Sequence, residues 1–269
     1  MGRTHEALKR AEREKSNGAV KENGKATFGE NGSQFNGNNF SADGPSALKG
    51  YLRDPQGSIL EYEKIGAWLT NPALQGKRLQ TVMVVAPRSG TGNTTTAALL
   101  AETLANVKKR RVLIIDSNFR TPALNMVFQV KNDGGFIEVA SDDFSCEAHI
   151  QATNRPNLFV LTSGQISISP AEVFEGDAID RLITKLKEKF DFIVFDAAPV
   201  MEFPDSFALA SKVDSVILVA RSENTSIEDA QRAKLNIEQA GGRILGVVLN
   251  RQKDYTPSFL KRFFFLQTA

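Results

Sequence analysis

The sequence lacks the features that mark secreted and membrane-spanning chains. It has one cysteine, Cys146, which excludes an internal disulfide and fits a reducing compartment. No run of apolar residues approaches the roughly 18 that a membrane-spanning helix needs. The polar and charged start, MGRTHEALKR, contains no apolar core of a signal peptide. These absences predict a cytoplasmic protein whose contact with a membrane, where there is any, is peripheral.

The sequence also lacks a large excess of either charge. Its 33 Lys and Arg residues nearly balance its 31 Asp and Glu residues, so the net charge is +2. Bulk attraction to a polyanion requires a clear positive excess. We therefore expect no nucleic acid partner.

Composition divides the chain into four parts. Residues 1–15 favour a short helix with Thr4 as its N-cap. Residues 16–50 are rich in Asn, Gly and Ser, show no periodicity, and are predicted to be a disordered linker. Residues 51–252 carry an α/β pattern and are predicted to be a nucleotide-binding domain, and residues 253–269 are a basic-aromatic tail.

Runs of Val, Ile and Leu in the 51–252 domain predict buried parallel strands with helical patterns between several of them. The predicted strands are Thr81–Ala86, Arg111–Asp116, Leu158–Leu161, Phe190–Asp196, Ser215–Arg221 and Ile244–Asn250. The predicted helices are 58–70, Thr94–Lys108, Ala178–Lys189 and Ser226–Ala240. Alternating strands and helices predict a doubly wound, mainly parallel α/β sheet with helices on both faces.

A glycine-containing loop follows the first predicted strand and precedes a predicted helix. Gly90 and Gly92 permit the tight backbone path and the close approach of phosphate that such a loop requires. Backbone N–H groups of the loop and the helix N-terminus favour an anion. Thr94 lies where the hydroxyl of a P-loop binds Mg²⁺. This context predicts a phosphate-binding loop.

The loop departs from the P-loop pattern at Asn93, where the pattern has a lysine that reaches the β- and γ-phosphates. An amide is uncharged and shorter, and losing that cation should cost roughly a hundredfold or more in rate. Pro87 also replaces the first glycine of the pattern. Arg88 lies where deviant-Walker proteins carry a signature lysine. Two readings of Arg88 stay open: it supplies positive charge in cis or across a dimer, or it is a solvated loop residue.

Polar side chains follow two of the predicted strands at the edge of the sheet where ligands bind in such folds. Asp116 ends the second strand and could orient a nucleophile or hold Mg²⁺ through water. Arg120, four residues later, could pair with a phosphate or a carboxylate. Asp196 ends a later apolar strand and fits the Walker B role of a metal-side carboxylate. Together with the loop they predict a phosphate and metal site.

Five segments in this order resemble bacterial tyrosine kinases, the cytoplasmic partners of polysaccharide co-polymerases. MinD and the ParA partition ATPases are the wider relatives. The segments are Gly90–Thr96, Asp116–Pro122 (DSNFRTP), Asp196–Pro199 (DAAP), Asp205–Arg221 and Gly246–Arg251 (GVVLNR). The resemblance covers about residues 58–252 and implies a P-loop fold of the MinD and ParA type.

The resemblance implies a site for ATP or ADP with Mg²⁺. The implied phosphate-binding and nucleotide-binding residues are Arg88, Gly90, Thr91, Gly92, Asn93, Thr94, Thr95, Asn250 and Arg251. In this family Asn250 would read adenine with Arg251 beside it, and Asp196 would be the Walker B residue. Thr94, Asp116 and Asp196 would hold the metal, and Arg120 would join the two aspartates in catalysis.

The resemblance also implies partners. A membrane polysaccharide co-polymerase, the chain-length determinant protein, would hold the chain at the inner face of the plasma membrane. Assembly into a homo-oligomer stays open, because the interface helix of the family is matched only loosely by Glu63–Gly66.

Three departures from the family bear on catalysis: Asn93, Asn118 in place of a second aspartate, and only three tyrosines, none in a C-terminal cluster. They favour a relative with weakened or lost catalysis that regulates exopolysaccharide or capsule biosynthesis and export. One alternative is an active ATP-dependent protein-tyrosine kinase of that system. Another is a positioning ATPase like MinD or ParA.

The tail, residues 253–269, combines phenylalanines with basic residues. Phe259 and Phe263 would share a helical face, with Lys261 and Arg262 between them. Such a segment could lie in a membrane interface, as the C-terminal helix of the MinD relatives does. It could instead dock its phenylalanines on the domain, and both readings stay open.

Overall fold

The computed structural model describes residues 55–71, 79–141, 146–165, 173–174 and 177–252. The predicted N-terminal helix (1–15), the linker (16–50) and the basic-aromatic tail (253–269) lie outside the described residues. None of the described helices is long and apolar enough to cross a bilayer.

A seven-stranded sheet forms the centre of the described domain, in the order β3-β4-β2-β5-β1-β6-β7. All neighbouring strands are parallel except β3, which pairs antiparallel with β4. The strands are β1 Thr81–Val85, β2 Val112–Ser117, β3 Gln151–Ala152, β4 Leu158–Leu161, β5 Phe192–Ala197, β6 Ser215–Arg221 and β7 Ile244–Asn250. The predicted fold class is confirmed.

Helices cover both faces of the sheet. They are α1 Pro55–Thr70, α2 Asn93–Asn106, α3 Leu124–Phe128, α4 Phe136–Ser141, α5 Ala178–Lys189, α6 Asp205–Ala210 and α7 Ile227–Gln239, with a 3₁₀ turn at Cys146–Ala148. One apolar cluster joins α2 and Tyr62 of α1 to one face. A second cluster, with stacked and tilted rings of Phe119, Phe136 and Phe174, fills the other. Strands buried on both faces explain the continuous apolar runs in the sequence.

The six predicted strands are present, with ends that differ by at most two residues from the prediction. The structure adds the two-residue β3 and the short helices α3, α4 and α6, which the sequence did not predict. Each of these elements has six residues or fewer, which is too short for a hydrophobic periodicity to be visible in the sequence. Tertiary contacts stabilise them instead.

The last strand, β7, lies at one of the two edges of the sheet and is the least buried of the long strands. Val247 and Leu249 are exposed on it. The central strands β1, β2 and β5 are buried throughout. The site therefore rests on the most buried strands, while β7 exposes apolar side chains that no other described strand pairs with or covers.

Gly135 shows how closely α4 approaches the end of β4. The N–H groups of Phe136 and Ile137 donate to the carbonyl oxygens of Thr162 and Ser163 at 2.7 and 3.1 Å. A Cβ at Gly135 would collide with backbone atoms of Thr162 and Gly164. Backbone cannot yield as a flexible side chain can, so this position requires glycine.

We expect Gly135→Ala to lower the free energy of unfolding by about 2 kcal/mol or more, because the added methyl group forces α4 away from β4. Chemical denaturation of the full chain measures it. Gly246→Ala is the matched control, since a Cβ there meets no atom within 4 Å. Equal effects of the two substitutions would contradict the packing described.

Candidate functional site

The loop between β1 and α2 has the backbone geometry of an anion cradle. Gly90 and Gly92 have φ values of +77° and +92°, in the left-handed region that favours glycine. Helix α2 begins at Asn93, directly after Gly92, and the Thr96 N–H donates to the Gly92 carbonyl at 3.0 Å. The N–H groups of the first turn, which precede that bond, have no partner inside the helix. The loop thus presents donors and positive potential to an anion.

The side chain of Asn93 turns inward to the ends of two strands. Its Nδ2 donates to Oδ1 of Asp196 at 2.7 Å, to the Ala197 carbonyl at 2.9 Å and to the Val84 carbonyl at 3.1 Å. An amide has two N–H bonds, so these three acceptors share them. Asn93 therefore connects the loop to β1 and β5 and brings no charge to Asp196.

Asp116 and Asp196 lie side by side, because β2 and β5 pair them in register. Both carboxyl groups are fully buried. Burial raises the pKa of Asp196 well above its ordinary value, and the charge of Asp116 adds to this rise. Hydrogen bonds from the Thr94 and Asn93 side chains act against it. Burial also raises the pKa of Asp116, to about 6.

Asp116 is bonded to the chain that leaves β2. Its Oδ2 accepts the N–H groups of Ala123 and Leu124 at 2.9 and 3.0 Å, and its Oδ1 accepts the Asn118 N–H at 3.2 Å. These bonds hold the start of α3 and oppose the rise of its pKa. Asp116 thus lies beside Asp196, as the strand ends predicted. Its oxygens also accept hydrogen bonds from the segment that connects β2 to α3. Its catalytic and metal-binding roles stay predictions.

Three charged residues that the sequence analysis did not single out contact the rim of the loop. Glu202 accepts the N–H of Ser89 at 2.9 Å and its hydroxyl at 2.6 Å. Asp229, in the first turn of α7, binds Arg88 through both of its oxygens at 2.7 and 3.1 Å. Arg221 donates to the Gly90 carbonyl at 3.3 Å. Only Arg221 had a signal, because it ends a parallel strand at the same edge of the sheet.

Two of the three arginines predicted for the site, Arg88 and Arg120, pair with carboxylates. Arg88 is exposed and forms an ion pair with Asp229, whose hydrogen bond and negative charge raise the pKa of the guanidinium. Arg120 donates to Asp205 at 3.3 Å and lies over the ring of Phe203 at 5.3 Å. Arg120 therefore pairs with a carboxylate, one of its two predicted partners. A role of either arginine in phosphate binding stays a prediction.

Asn250 lies against the loop. Its Nδ2 donates to the Thr91 carbonyl at 2.7 Å, and it occupies the space that a Cβ on Gly92 would need. The Arg251 N–H donates to Asn250 Oδ1 at 2.8 Å, and Arg251 is exposed with φ of +55°. Asn250, the residue predicted to recognise adenine, thus lies next to the loop and is bonded to its backbone. Recognition of adenine by Asn250 stays a prediction.

The residues present fit the phosphates of a nucleotide. Besides the glycine geometry, three buried side-chain atoms of the site have no hydrogen-bond partner in the described part of the chain: Thr91 Oγ1, Asn93 Oδ1 and Asp196 Oδ2. Such atoms are rare in folded proteins and mark a place for a ligand, an ion or water.

A magnesium ion fits less completely. Within the described ranges, no cluster of three or more His, Cys, Asp or Glu side chains could hold a metal by itself. Mg²⁺ prefers six oxygen ligands and keeps several waters. The Thr94 hydroxyl and Asp196 could supply oxygens only if phosphate and water supplied the rest.

The chain has clear relatives among known proteins. Residues 79–245 match the family described as an AAA domain. Tyrosine-protein kinase YwqD of Bacillus subtilis (strain 168) is 32% identical over 177 residues, which are 66% of this chain and 74% of YwqD. The chain belongs to the bacterial tyrosine-protein kinase family. The resemblance that its motifs carried is confirmed.

Solved structures agree with this family. The crystal structure of the chimerical protein CapA2B2 is similar, with a TM-score of 0.70 and 27% identity, over 77% of this chain and 90% of that one. The septum site-determining protein MinD of Pyrococcus horikoshii, solved with Mg-ADP, is 24% identical with a TM-score of 0.54 over 68% of this chain and 76% of MinD. The MinD likeness shows the shared fold.

We expect Asp196→Asn to raise the melting temperature at pH 8 by several degrees in EDTA, and to have no such effect near pH 4. Above the pKa of the unfolded chain, the unfolded carboxyl has lost its proton. The folded protein must then either keep a proton on Asp196 or bury a charged carboxylate, and either one costs free energy of folding. The free energy of unfolding of the wild type therefore falls as pH rises above about 4. The amide removes this cost and keeps an oxygen for Asn93.

The control for this pH series is Asp214→Asn. Burial raises the pKa of Asp214, but hydrogen bonds from Gln80, Thr81 and Lys187 outweigh burial, and the net pKa is lowered. Its stabilisation is present above its unfolded pKa and is lost as pH falls, so this substitution should destabilise the protein at pH 8. Changes of the same sign in the two variants would contradict the assignment.

Proposed function

We propose that this chain is a nucleotide-binding member of its family with weakened or lost catalysis, which regulates exopolysaccharide or capsule biosynthesis and export. The observation that carries the proposal is the position of Asn93. Its amide occupies the space beside Asp196 at 2.7 Å, where the P-loop pattern has a cationic side chain. The fold and the loop are kept, while the charge that stabilises transferring phosphate is missing.

The electrostatics of the site support weak catalysis. The side chains that donate to Asp196 are those of Asn93 and Thr94, and both are neutral. Burial and the neighbouring Asp116 favour the protonated form of Asp196. A protonated carboxyl attracts a metal ion poorly. The site therefore lacks a fixed positive charge deep in the loop, and its Walker B carboxylate is not held ionised by a cation.

Binding of phosphate depends on other groups. The N–H groups at the start of α2, with Gly90 and Gly92, would hold the phosphates of ATP or ADP, and Thr94 and Asp196 would face Mg²⁺. The ion, when bound, would neutralise phosphate charge. Asn250 would lie near the base. Uniform binding through backbone donors needs no lysine, so a nucleotide can bind without efficient turnover.

The biological setting follows from the family resemblance. YwqD is named a tyrosine-protein kinase, and the motif order that this chain shares with the family implies a cytoplasmic location and a membrane polysaccharide co-polymerase as partner. We include both in the proposal, and assembly into a homo-oligomer stays open.

Calorimetry with MgATP and MgADP on the purified chain tests the proposal, together with transfer of radiolabelled phosphate from ATP. We expect nucleotide binding without measurable transfer to Tyr255 or to the other two tyrosines. Robust hydrolysis or autophosphorylation by the wild type would show an active kinase instead. Nucleotide-dependent dimerisation with DNA binding would show a positioning ATPase.

We expect Asn93→Lys to tighten MgATP binding by roughly tenfold to a hundredfold, because a charge-assisted hydrogen bond to phosphate contributes about 1.5–3 kcal/mol. Turnover should stay low, because Asn118 still replaces the second carboxylate. Asn93→Gln is the matched control, since it lengthens the side chain without adding charge. The same affinity in the Lys and Gln variants would contradict a role of charge at this position.

We expect Glu202→Gln to tighten MgADP binding by about twofold to tenfold, because a neutral amide oxygen holds the Ser89 N–H about 0.5–1.5 kcal/mol less strongly than a carboxylate does. The Glu202 carboxylate holds the Ser89 N–H and hydroxyl at the loop and repels phosphate. The effect should shrink as salt rises. Glu228→Gln removes the same charge from an exposed position on α7 and serves as the control. If both variants bound MgADP more tightly by the same factor, the effect would come from the net charge of the protein and not from the contact of Glu202 with the loop.

A further inference from the structure

An apolar groove lies between α1 and the edge strand β7, outside the phosphate site. Its walls are Ile65 and Trp68 of α1 and Leu245, Gly246 and Val248 of β7, and its volume is about 310 Å³. Lys64 is the charged residue of its lining. A cavity of this size accommodates one or two aromatic side chains.

Among the residues that the structure describes, the groove is exposed. A Cβ built at Gly246 meets no atom within 4 Å, so the floor of the groove has free space above it. Trp68 is 40% exposed on one wall. Leu245 and Val248 are only partly buried where they pack against the core. Exposed apolar surface beside an edge strand invites pairing with another segment, and proteins usually cover it.

We propose that residues 259–266 of the same chain occupy this groove. We call this segment, Phe-Leu-Lys-Arg-Phe-Phe-Phe-Leu, the aromatic segment. The proposal chooses the second of the two readings of the tail, docking on the domain, and gives it a place. It does not depend on nucleotide binding or on catalysis.

The position of the tail in the chain supports this occupant. Strand β7 ends at Asn250 and the described chain continues to Gln252. Six residues, 253–258, separate Gln252 from the aromatic segment. Extended, they span roughly 20 Å. The distance from Asn250 back to Leu245 along β7 is roughly 17 Å at the rise of a strand. The aromatic segment can therefore reach the whole groove.

The chemistry of the aromatic segment matches the groove. Six of its eight residues are Phe or Leu, and the other two are Lys261 and Arg262. Glu61 lies one turn before Ile65 on α1 and pairs with Lys64 of the groove at 2.7 Å. Basic residues of the tail would add positive charge beside the Glu61 carboxylate. The phenylalanines would cover Trp68 and the free space above Gly246.

Covalent connection makes docking favourable even when the contact is weak. A segment joined by a short flexible linker has an effective concentration of about 1 mM at its site. A separate peptide with a Kd of about 0.1 mM, the affinity expected of a few buried aromatic side chains, would thus be docked about 90% of the time when attached.

Trp68 is the only tryptophan of the chain, so its fluorescence reports on the groove alone. The experiment compares the full chain with a chain that stops after Gln252. We expect the emission of Trp68 in the full chain to lie at shorter wavelength and to be roughly twofold less sensitive to acrylamide, because docking removes much of its exposed surface. A synthetic peptide of residues 253–269 added to the shortened chain should restore both signals.

Matched variants assign the effect to the aromatic segment. The full chain with Phe263→Ser and Phe264→Ser should behave as the shortened chain does. The full chain with Lys261→Ser and Arg262→Ser should keep most of the protection. In the shortened chain, Gly246→Leu should weaken binding of the labelled peptide by about tenfold or more, because the new side chain fills the groove. Gly246→Ala should weaken it much less.

Three outcomes would overturn the proposal. In the first, Trp68 emission is the same in the full and shortened chains, and the peptide does not bind at about 1 mM, which equals the effective concentration of the attached segment. In the second, Trp68 of the shortened chain becomes protected only as concentration and molecular mass rise, which assigns the groove to a second copy. In the third, Trp68 of the full chain changes only when anionic lipid vesicles are added, which assigns the aromatic segment to a membrane surface.

Discussion

The pairing of β5 with its two neighbours determines the rest of the site. Because β5 lies between β1 and β2 in a parallel sheet, its last residues come to the same edge as the loop after β1 and the carboxylate after β2. Two carboxyl groups therefore meet inside a fully packed sheet, which costs free energy unless protons, cations or donors compensate. The molecule compensates with neutral donors. Three backbone N–H groups serve Asp116, and two neutral side chains serve Asp196.

This choice of donors fits the weakened catalysis that we propose for this fold. A neutral amide beside Asp196 satisfies one oxygen at short distance and connects α2 to two strands at once. Stability and catalysis therefore make different demands on position 93, because stability needs only a donor and catalysis needs a charge.

Most of the fold and the centre of the site could be predicted from the sequence, for a physical reason. Parallel strands covered on both faces need unbroken apolar runs, so their positions and the residues that follow them are visible in the sequence. That is why Asp116 and Asp196 could be placed at one edge. The departure at Asn93 was visible too, as a missing charge.

The contacts of the rim could not be predicted. Glu202 lies 113 residues from Ser89, and Asp229 lies 141 residues from Arg88. No local sequence pattern encodes such pairs, because a surface ion pair depends on the three-dimensional positions of loops and not on the periodicity of the sequence. The inward direction of the Asn93 side chain had no signal either, because it depends on carbonyl groups from two separate strands. The short helices α3, α4 and α6 follow the same rule, as they exist through tertiary contacts.

The bond from Asn250 to the Thr91 carbonyl has a consequence for motion. It fastens the middle of the loop to β7, an edge strand that is less buried than the central strands and should open at lower free energy than they do. Fraying of that strand would release the asparagine, and the loop would lose one of its supports without any change in the central strands. The rigidity of the phosphate-binding loop therefore depends in part on the stability of the edge strand β7. Amide hydrogen exchange in β7 would report on the mobility of the loop.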